Sequence, residues 1–411
     1  MTDRYHRTEL PGGLVVLTEH MPGIRSAAIG VWVRAGSVNE TPAEMGVSHL
    51  LEHMVFKGTA RRTPRELALV LERLGGSLDA YTTREHTSYQ ARVLDTDIDI
   101  ALDVLADLVI EPLLRPEDLD LEREVVLEEI LTVEDTPDDL VFDLHAALLW
   151  GAHPYGYSIL GTRDTVAALS VDDLRRVHGE RYRRGNLIVA AAGNVEHDRF
   201  VAMVDGHFRA ATPGAPRANG RTPAVPRPVR RAVSRATAQT HLVWGHSTFG
   251  HGDLRRYALV LLSNALGGGM SSRLFQRVRE ELGLAYAVYS FQSFYADAGV
   301  SGVYVGTRPE WADRAEAAVA RELARAAAEG LTPEELADTK GQVKGQIVLS
   351  LESASARLHR LAGTELYGEP FRTLDEITVL VEAVSLDDIA ALAAAYCRPD
   401  EQSVLRLGPT H

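Results

Sequence analysis

Two stretches of this sequence, 215 positions apart, carry the same pattern. The nine residues that begin at 166, Val-Ala-Ala-Leu-Ser-Val-Asp-Asp-Leu, recur from 381 as Val-Glu-Ala-Val-Ser-Leu-Asp-Asp-Ile. In both copies a serine is followed three residues later by an aspartate, a pair that can cap the start of a helix. Because a solenoid repeat is far shorter, this period indicates a duplicated domain of about 200 residues. A chain of 411 residues has room for two such domains.

A proline-rich segment separates the two copies. Five prolines and two glycines lie between residues 212 and 231 without apolar periodicity, which is typical of a semi-rigid linker. We therefore predict a first domain over 1–212, a linker over 213–230 and a second, homologous domain over 231–411.

Short strand-like runs alternate with longer helical stretches in the first half. Patterns rich in β-branched and apolar residues predict strands over 13–17, 27–34, 87–93 and 186–192. Helical periodicity predicts helices over 63–74, 97–109, 116–133 and 171–182. This mixture favours an α+β fold in which each domain has a mainly antiparallel sheet packed with helices.

Composition excludes several classes of protein. A hydrophobic content of 45% and a charged content of 24% match an ordinary globular chain. No signal-like or membrane-length apolar run is visible, so we expect a cytoplasmic protein with no membrane partner. The net charge of −14 argues against a nucleic acid as the main partner. With Cys397 as the single cysteine, a metal site would need histidine and carboxylate ligands.

The negative charge is concentrated in one segment. Residues 95–143 contain 18 acidic residues and only two basic ones, Arg115 and Arg123. Such a block is typical of solvated helix faces, although it could also attract basic peptides.

The sequence His49-Leu50-Leu51-Glu52-His53 is the sharpest chemical signal. On a helix, residues four apart are rotated by about 400°, so both imidazoles lie on one face and can share a cation. Glu52 lies about 60° to the other side of His49, within reach of a metal-bound water. The alternative is a pair of surface histidines without a metal.

A zinc site needs a third protein ligand, which must come from elsewhere in the chain. Glu122 and Glu129 are seven residues apart in the predicted helix 116–133, which places them on one face two turns from each other. One carboxylate could bind the metal while the other orients a ligand. Spacing alone leaves open that both face solvent, as Glu124 and Glu128 would.

The inverted His-x-x-Glu-His motif resembles that of the M16 peptidases, in the branch of the mitochondrial processing peptidase and its bacterial homodimeric relatives. In that family the third ligand is a glutamate about 76 residues after the second histidine, which is Glu129 here. The resemblance implies one Zn²⁺ per chain bound by His49, His53 and Glu129, with Glu122 in support. It also implies that Glu52 activates the zinc-bound water.

The resemblance extends to a segment that would hold the substrate. Residues 75–82, Gly-Gly-Ser-Leu-Asp-Ala-Tyr-Thr, are similar to the edge strand on which these enzymes align an extended peptide through backbone hydrogen bonds. The implied substrate-binding residues are Ser77, Leu78, Asp79, Ala80 and Tyr81. The family often has Asn at the position of Asp79.

In the second half, Arg279 and Tyr286 are similar to a family pair, seven residues apart, that holds and polarises the substrate carbonyl. Without the resemblance, Arg279 would be interpreted as a surface helix residue and Tyr286 as a strand residue. The nearby Gly267-Gly268-Gly269 resembles the glycine-rich loop of the family.

The repeat makes a separate prediction about the number of metal sites. The offset of 215 places Asn264, Gly267 and Gly268 at the positions of His49, Glu52 and His53, and Lys344 at the position of Glu129. None of these residues can rebuild a zinc site, so we expect one metal per chain.

The sequence thus predicts a zinc metalloendopeptidase that cleaves extended peptides or unfolded segments. The resemblance implies a homodimer with a closed chamber, in which Arg279 and Tyr286 complete the active site of the partner subunit. One alternative is a non-catalytic structural subunit, as in respiratory-complex core proteins of the family. Another is the zinc-bearing subunit of a heterodimeric processing peptidase.

Overall fold

The computed structural model describes residues 5–215, 223 and 227–409 of the chain. Within these residues the strands are β1 (Tyr5–Glu9), β2 (Val15–His20), β3 (Ser26–Val33), β4 (Ser77–Thr82), β5 (Thr87–Leu94), β6 (Leu187–Gly193), β7 (Arg230–Ser234), β8 (Thr240–Thr248), β9 (Ala285–Phe294), β10 (Gly299–Thr307) and β11 (Ser403–Gly408). Residues 216–222 and 224–226 of the predicted linker lie outside the described residues.

The helices of the first half are α1 (Val47–Val55), α2 (Pro64–Arg73), α3 (Ile98–Ile110), α4 (Pro116–Glu134), α5 (Pro137–Trp150), α6 (Arg163–Ala168), α7 (Val171–Arg181) and α8 (His197–His207). Those of the second half are α9 (Arg256–Gly267), α10 (Ala312–Glu329), α11 (Pro333–Ser350), α12 (Ala354–Leu366), α13 (Leu374–Ala383) and α14 (Leu386–Tyr396). The strands and helices predicted for the first half are confirmed, with ends that differ by at most three residues. No helix in the described part of the chain is long and apolar enough to cross a membrane.

The first compact unit contains the described residues of 5–131, 157–215 and 350–371. Its sheet has the strand order β1-β2-β6-β3-β5-β4, in which β2 and β6 are parallel and the other neighbours antiparallel. Alternate residues of β3, such as Ile29 and Val31, pack in the main core with α1 and α3, while Trp32 packs on the opposite face with α12. Because both faces of β3 and β6 are covered, these strands appear in the sequence as nearly continuous apolar runs.

The second compact unit contains the described residues of 132–156, 227–349 and 372–409. Its sheet has the order β7-β11-β8-β10-β9, with β7 and β11 parallel. This order matches β2-β6-β3-β5-β4 of the first unit strand for strand. The predicted α+β fold and the internal duplication are therefore confirmed.

A helix begins within each copy of the nine-residue pattern, and its start is capped as the sequence predicts. The Ser170 side chain accepts a hydrogen bond from the Asp173 backbone at the start of α7. The Ser385 side chain accepts the equivalent bond from Asp388 at the start of α14. In both capping boxes the aspartate carboxylate in turn accepts a hydrogen bond from the serine backbone N–H, so two otherwise unpaired N–H groups are satisfied.

Two helices at equivalent positions of the repeats are exchanged between the units. In the second unit, α5 from the first half packs on β8 and β11, where Val141 lies in a buried apolar cluster with Val243 and Leu405. In the first unit, α12 from the second half packs on β2, β3 and β6. The compact units therefore differ from the predicted division at the linker 213–230, because the segments that contain α5 and α12 each belong to the other unit. Local periodicity shows that a helix is amphipathic but does not specify which sheet it packs on.

Candidate metal centre

Helix α1 presents the two histidines of the motif on one face. It begins after Gly46, whose φ of 90° is readily adopted only by glycine, and its first turn is capped by the buried Glu40, which accepts bonds from the Gly46 and Ser48 backbone. The apolar positions, among them Leu50 and Leu51, are fully buried in the core. This packing fixes the rotation of the helix, so that the two motif imidazoles lie together with ring centroids 4.6 Å apart.

The third candidate ligand comes from α4, as the resemblance implies. One carboxylate oxygen of Glu129 is 3.5 Å from Nε2 of His49, and the other is 3.6 Å from Nε2 of His53. In a tetrahedral zinc site with bonds of about 2.0–2.1 Å, neighbouring ligand atoms are roughly 3.4 Å apart. The donor set and its spacing therefore fit a zinc ion. Among the described residues, these three form the group whose ligand atoms all lie within 4.8 Å of one another.

Burial prepares His49 for metal binding. Burial, and to a lesser degree the neighbouring His53, lowers the pKa of His49 to about 3. The side chain is therefore neutral at physiological pH, which is the form that binds a metal.

Glu122 contacts the second histidine of the motif, His53, through the ring nitrogen Nδ1. Its Oε1 is 3.0 Å from Nδ1 of His53, and its other oxygen forms an ion pair with Lys57. A hydrogen bond at Nδ1 leaves Nε2 of His53 for the metal, the arrangement found in carboxylate–histidine–zinc triads. Burial by itself raises the pKa of Glu122, but the contacts with His53 and Lys57 outweigh it and lower the pKa. The structure thus brings Glu122 to His53, and its role in supporting a metal ligand stays a prediction.

Sequence reasoning missed Lys57. It lies four residues after His53, just beyond the end of α1, and its ammonium group reaches the carboxylate that orients that histidine. The i+4 spacing was visible in the sequence, but a lysine at a helix end is usually only a solvated charge.

Glu52 lies beside the ligand set and is not part of it. Its side chain is buried, and its Oε2 accepts a hydrogen bond of 2.6 Å from Oγ1 of Thr82. Burial raises the pKa of Glu52, and the bond from Thr82 opposes this shift. A buried carboxylate one turn after one candidate ligand, His49, and directly before the other, His53, is suited to exchange a proton with a nearby water.

Strand β4 lies at the edge of its sheet, as predicted for the substrate strand. It pairs with β5 on one side, from Ser77 opposite Arg92 to Thr82 opposite Thr87, and it is the terminal strand in the order of this unit. The structure places the predicted substrate-binding residues Ser77, Leu78, Asp79, Ala80 and Tyr81 on it. Leu78 and Ala80 pack toward the main core, whereas the ring of Tyr81 stacks with His359 of α12.

In the second unit, the structure brings Arg279 and Tyr286 together. Arg279 lies in a π-helical turn, Phe275–Glu281, and its guanidinium is 4.6 Å from the centre of the Tyr286 ring. Arg279 also donates a hydrogen bond of 3.0 Å to the backbone carbonyl of Tyr286. The Tyr286 side chain stands on β9, the edge strand of this sheet, and is 77% exposed. The pair is thus available to a ligand, and its role toward a substrate stays a prediction.

Two family models match the chain. A model described as insulinase, peptidase family M16, matches residues 15–163. A second, described as the peptidase M16 inactive domain, matches residues 168–343. Together they cover more than half of the sequence, and the second match begins within the first repeat and extends into the second.

Several curated proteins are similar over nearly the whole chain. A protein of Streptomyces coelicolor named as an uncharacterized zinc protease is 43% identical over 400 residues, which cover 94% of this chain and 86% of that protein. One of the same description from Mycobacterium tuberculosis is 42% identical, with coverage of 94% and 89%. A third from Bacillus subtilis is 40% identical, with coverage of 93% of each chain.

Solved structures share the fold. The structure described as a peptidase M16 inactive domain from Pseudomonas fluorescens superimposes with a TM-score of 0.93, covers 99% of this chain and 98% of its own, and is 23% identical. A protease from Helicobacter pylori gives a TM-score of 0.92 at 22% identity, with coverage of 98% and 99%. At these identities the similarity establishes the fold and no more.

Proposed function

Because the chain belongs to peptidase family M16, we propose that it is a zinc-dependent endopeptidase that cleaves extended peptides or unfolded protein segments. The observation that carries this proposal is the grouping of His49, His53 and Glu129, whose candidate ligand atoms all lie within 4.8 Å of one another, a donor set that suits zinc. The family membership and the zinc-protease names of the relatives support it.

Some residues of the proposed site would hold the ion, and others would orient the side chains that hold it. His49, His53 and Glu129 would hold one Zn²⁺ per chain, while Glu122, supported by Lys57, keeps the imidazole of His53 in place. When bound, the ion would polarise the scissile carbonyl and make a water acidic enough to attack it at neutral pH.

Glu52 would move the proton. Its carboxylate accepts a proton from the attacking water and then delivers that proton to the nitrogen of the departing amine, so the charge on Glu52 is restored at the end of the cycle. Its burial beside the ligand set, without being one of the ligands, supports this role.

The substrate would bind as an added strand. The free backbone edge of β4 can pair with an extended peptide irrespective of its side chains, which favours unfolded segments. Arg279 and Tyr286 would bind the carbonyl oxygen as negative charge develops on it. We propose that they act from the partner subunit of a homodimer that encloses the substrate in a chamber, and that the acidic segment 95–143 favours basic peptides.

The substitution Glu52→Gln tests the function. It should lower kcat on an unfolded peptide by about 10²–10⁴-fold, since it removes the general base, while the zinc content stays at one ion per chain. Cleavage followed by mass spectrometry, with zinc measured by atomic emission, provides both readouts. The matched control is Glu124→Gln, since Glu124 is an exposed residue of α4 and its variant should retain wild-type turnover. Undiminished cleavage by Glu52→Gln would contradict the proposal.

A further inference from the structure

We propose that Thr82 is a positioning residue that orients the carboxylate of Glu52 and ties it to the strand on which the peptide binds. This inference rests on the proposed function and deepens it, because it assigns a role to a residue outside the ligand set. Thr82 is the last residue of β4, and Glu52 lies 30 positions earlier on α1.

The hydrogen bond from Thr82 involves one of the two carboxylate oxygens of Glu52. Oγ1 of Thr82 donates to Oε2 at 2.6 Å, a short distance that is typical of a hydroxyl bound to a carboxylate. Among the described residues, Thr82 is the hydrogen-bond partner of this carboxylate. With Oε2 occupied, Oε1 is the oxygen left to exchange a proton with water.

The hydroxyl of the neighbouring Thr87 donates elsewhere and does not take part in this hydrogen bond. Thr87 is buried, and its hydroxyl donates to the backbone carbonyl of Ala35 at 3.0 Å. A hydroxyl has one hydrogen, so Thr87 cannot also donate to Thr82, whose oxygen is 3.4 Å away. An ionised carboxylate only accepts hydrogen bonds, so the single hydrogen of the Thr82 hydroxyl is donated to Glu52.

The placement of Thr82 links the base to the substrate. The backbone of β4 would hold the peptide, while the side chain at the end of the same strand holds Glu52, so both are set by one rigid element. Threonine is branched at Cβ and therefore stiff about χ1, which keeps Oγ1 in a defined position. A displacement of about 1 Å in such a geometry can cost on the order of 100-fold in rate.

Two substitutions separate the hydroxyl from the shape of the side chain. Thr82→Val keeps the branched shape without the hydroxyl, and we expect kcat to fall by about 10–100-fold while KM stays within about twofold. Thr82→Ser keeps the hydroxyl and should restore kcat to within about threefold of wild type. If Thr82→Val does not fold, Thr82→Ala takes its place, since it also lacks the hydroxyl.

Readouts other than turnover separate positioning from a structural role. In a Glu52→Gln background, Thr82→Val should leave the affinity for a fluorescent peptide unchanged, as measured by anisotropy. In crystals of the metal-free protein, the carboxylate of Glu52 should turn away from its wild-type position in Thr82→Val but not in Thr82→Ser. A Thr82→Val enzyme with wild-type kcat, or with a raised KM alone, would overturn the inference. Equal cleavage by wild type and Glu52→Gln would instead contradict the proposed function, and the metal-free crystals would still test the orientation.

Discussion

The two repeats of this chain share one order of five strands, but among the described residues only the first brings candidate metal ligands together. In the first repeat, α1 and β4 are joined through a side-chain contact, the bond from Thr82 to Glu52. In the second, α9 ends at Gly267, where an added Cβ would lie 2.3 Å from the backbone nitrogen of Ser290 on β9. Glycine thus lets the second helix pack directly against its edge strand, where the first repeat carries the side chain of Glu52.

The position of the third ligand differs in the same way. Lys344 stands in α11 where Glu129 stands in α4, and it pairs with Glu382. One fold therefore supports a candidate metal site in one copy and close backbone packing in the other. A common topology does not determine chemistry, because the site depends on a few side chains that the fold tolerates but does not require.

The largest expected effect tests whether the ligand set is confined to the first repeat. Glu129→Gln replaces a charged ligand, so the purified protein should lose most of its zinc and cleavage should fall by at least about 10³-fold. Its matched control at the equivalent position, Lys344→Gln, should keep one zinc per chain. Zinc content and peptide cleavage are measured on both. A control that lost the metal as completely as Glu129→Gln would show that the second repeat contributes to the site.

A smaller effect tests the close packing of α9 against β9 at Gly267 in the second repeat. Gly267→Ala should destabilise the protein by about 1–3 kcal/mol, because the new methyl group collides with backbone rather than with a flexible side chain. Urea unfolding provides the free energy. The control is Gly341→Ala in α11, where an added Cβ meets no atom within 4 Å, and which should be neutral or stabilising by up to about 1 kcal/mol. Equal stability of wild type and Gly267→Ala would remove the packing argument.

The smallest effect distinguishes the two exchanged helices by their response to pH. His145 of α5 is buried and bonds through Nε2 to the Ser403 carbonyl at 3.1 Å, and burial lowers its pKa to about 4. The equivalent position of α12 is Arg360, whose guanidinium lies 4.6 Å from the centre of the Phe371 ring. Because the unfolded chain binds a proton more readily than the folded one, stability from His145 is present above pH 6.5 and is lost as the pH falls toward 4.

The loss amounts to at most about 3 kcal/mol for the second unit. Hydrogen exchange of β8 and β11 between pH 6.5 and 4, compared in wild type and His145→Gln, measures it, since glutamine can donate to the same carbonyl without titrating. A slope that was the same in both proteins would assign the acid sensitivity to other groups.

Much of the local structure could be predicted from the sequence. The phase of α1, which places His49 and His53 on one face, follows from the helical period and from the apolar residues that bury the other face. Residue spacing alone did not select the third ligand, since several glutamates of α4 had suitable positions, and the family resemblance was needed to choose Glu129. The contacts of Lys57 and Thr82 were not predicted, because each joins elements that are distant along the chain.

The sequence by itself determined the duplication, the helix caps at Ser170 and Ser385, and the pairing of the two motif imidazoles, because these depend on short-range periodicity and on residue types at fixed spacing. Only the tertiary structure decided which sheet each of α5 and α12 covers and which hydroxyl holds Glu52. Such contacts depend on how distant segments pack, and the same amphipathic helix or edge strand is compatible with more than one partner until the whole core is assembled.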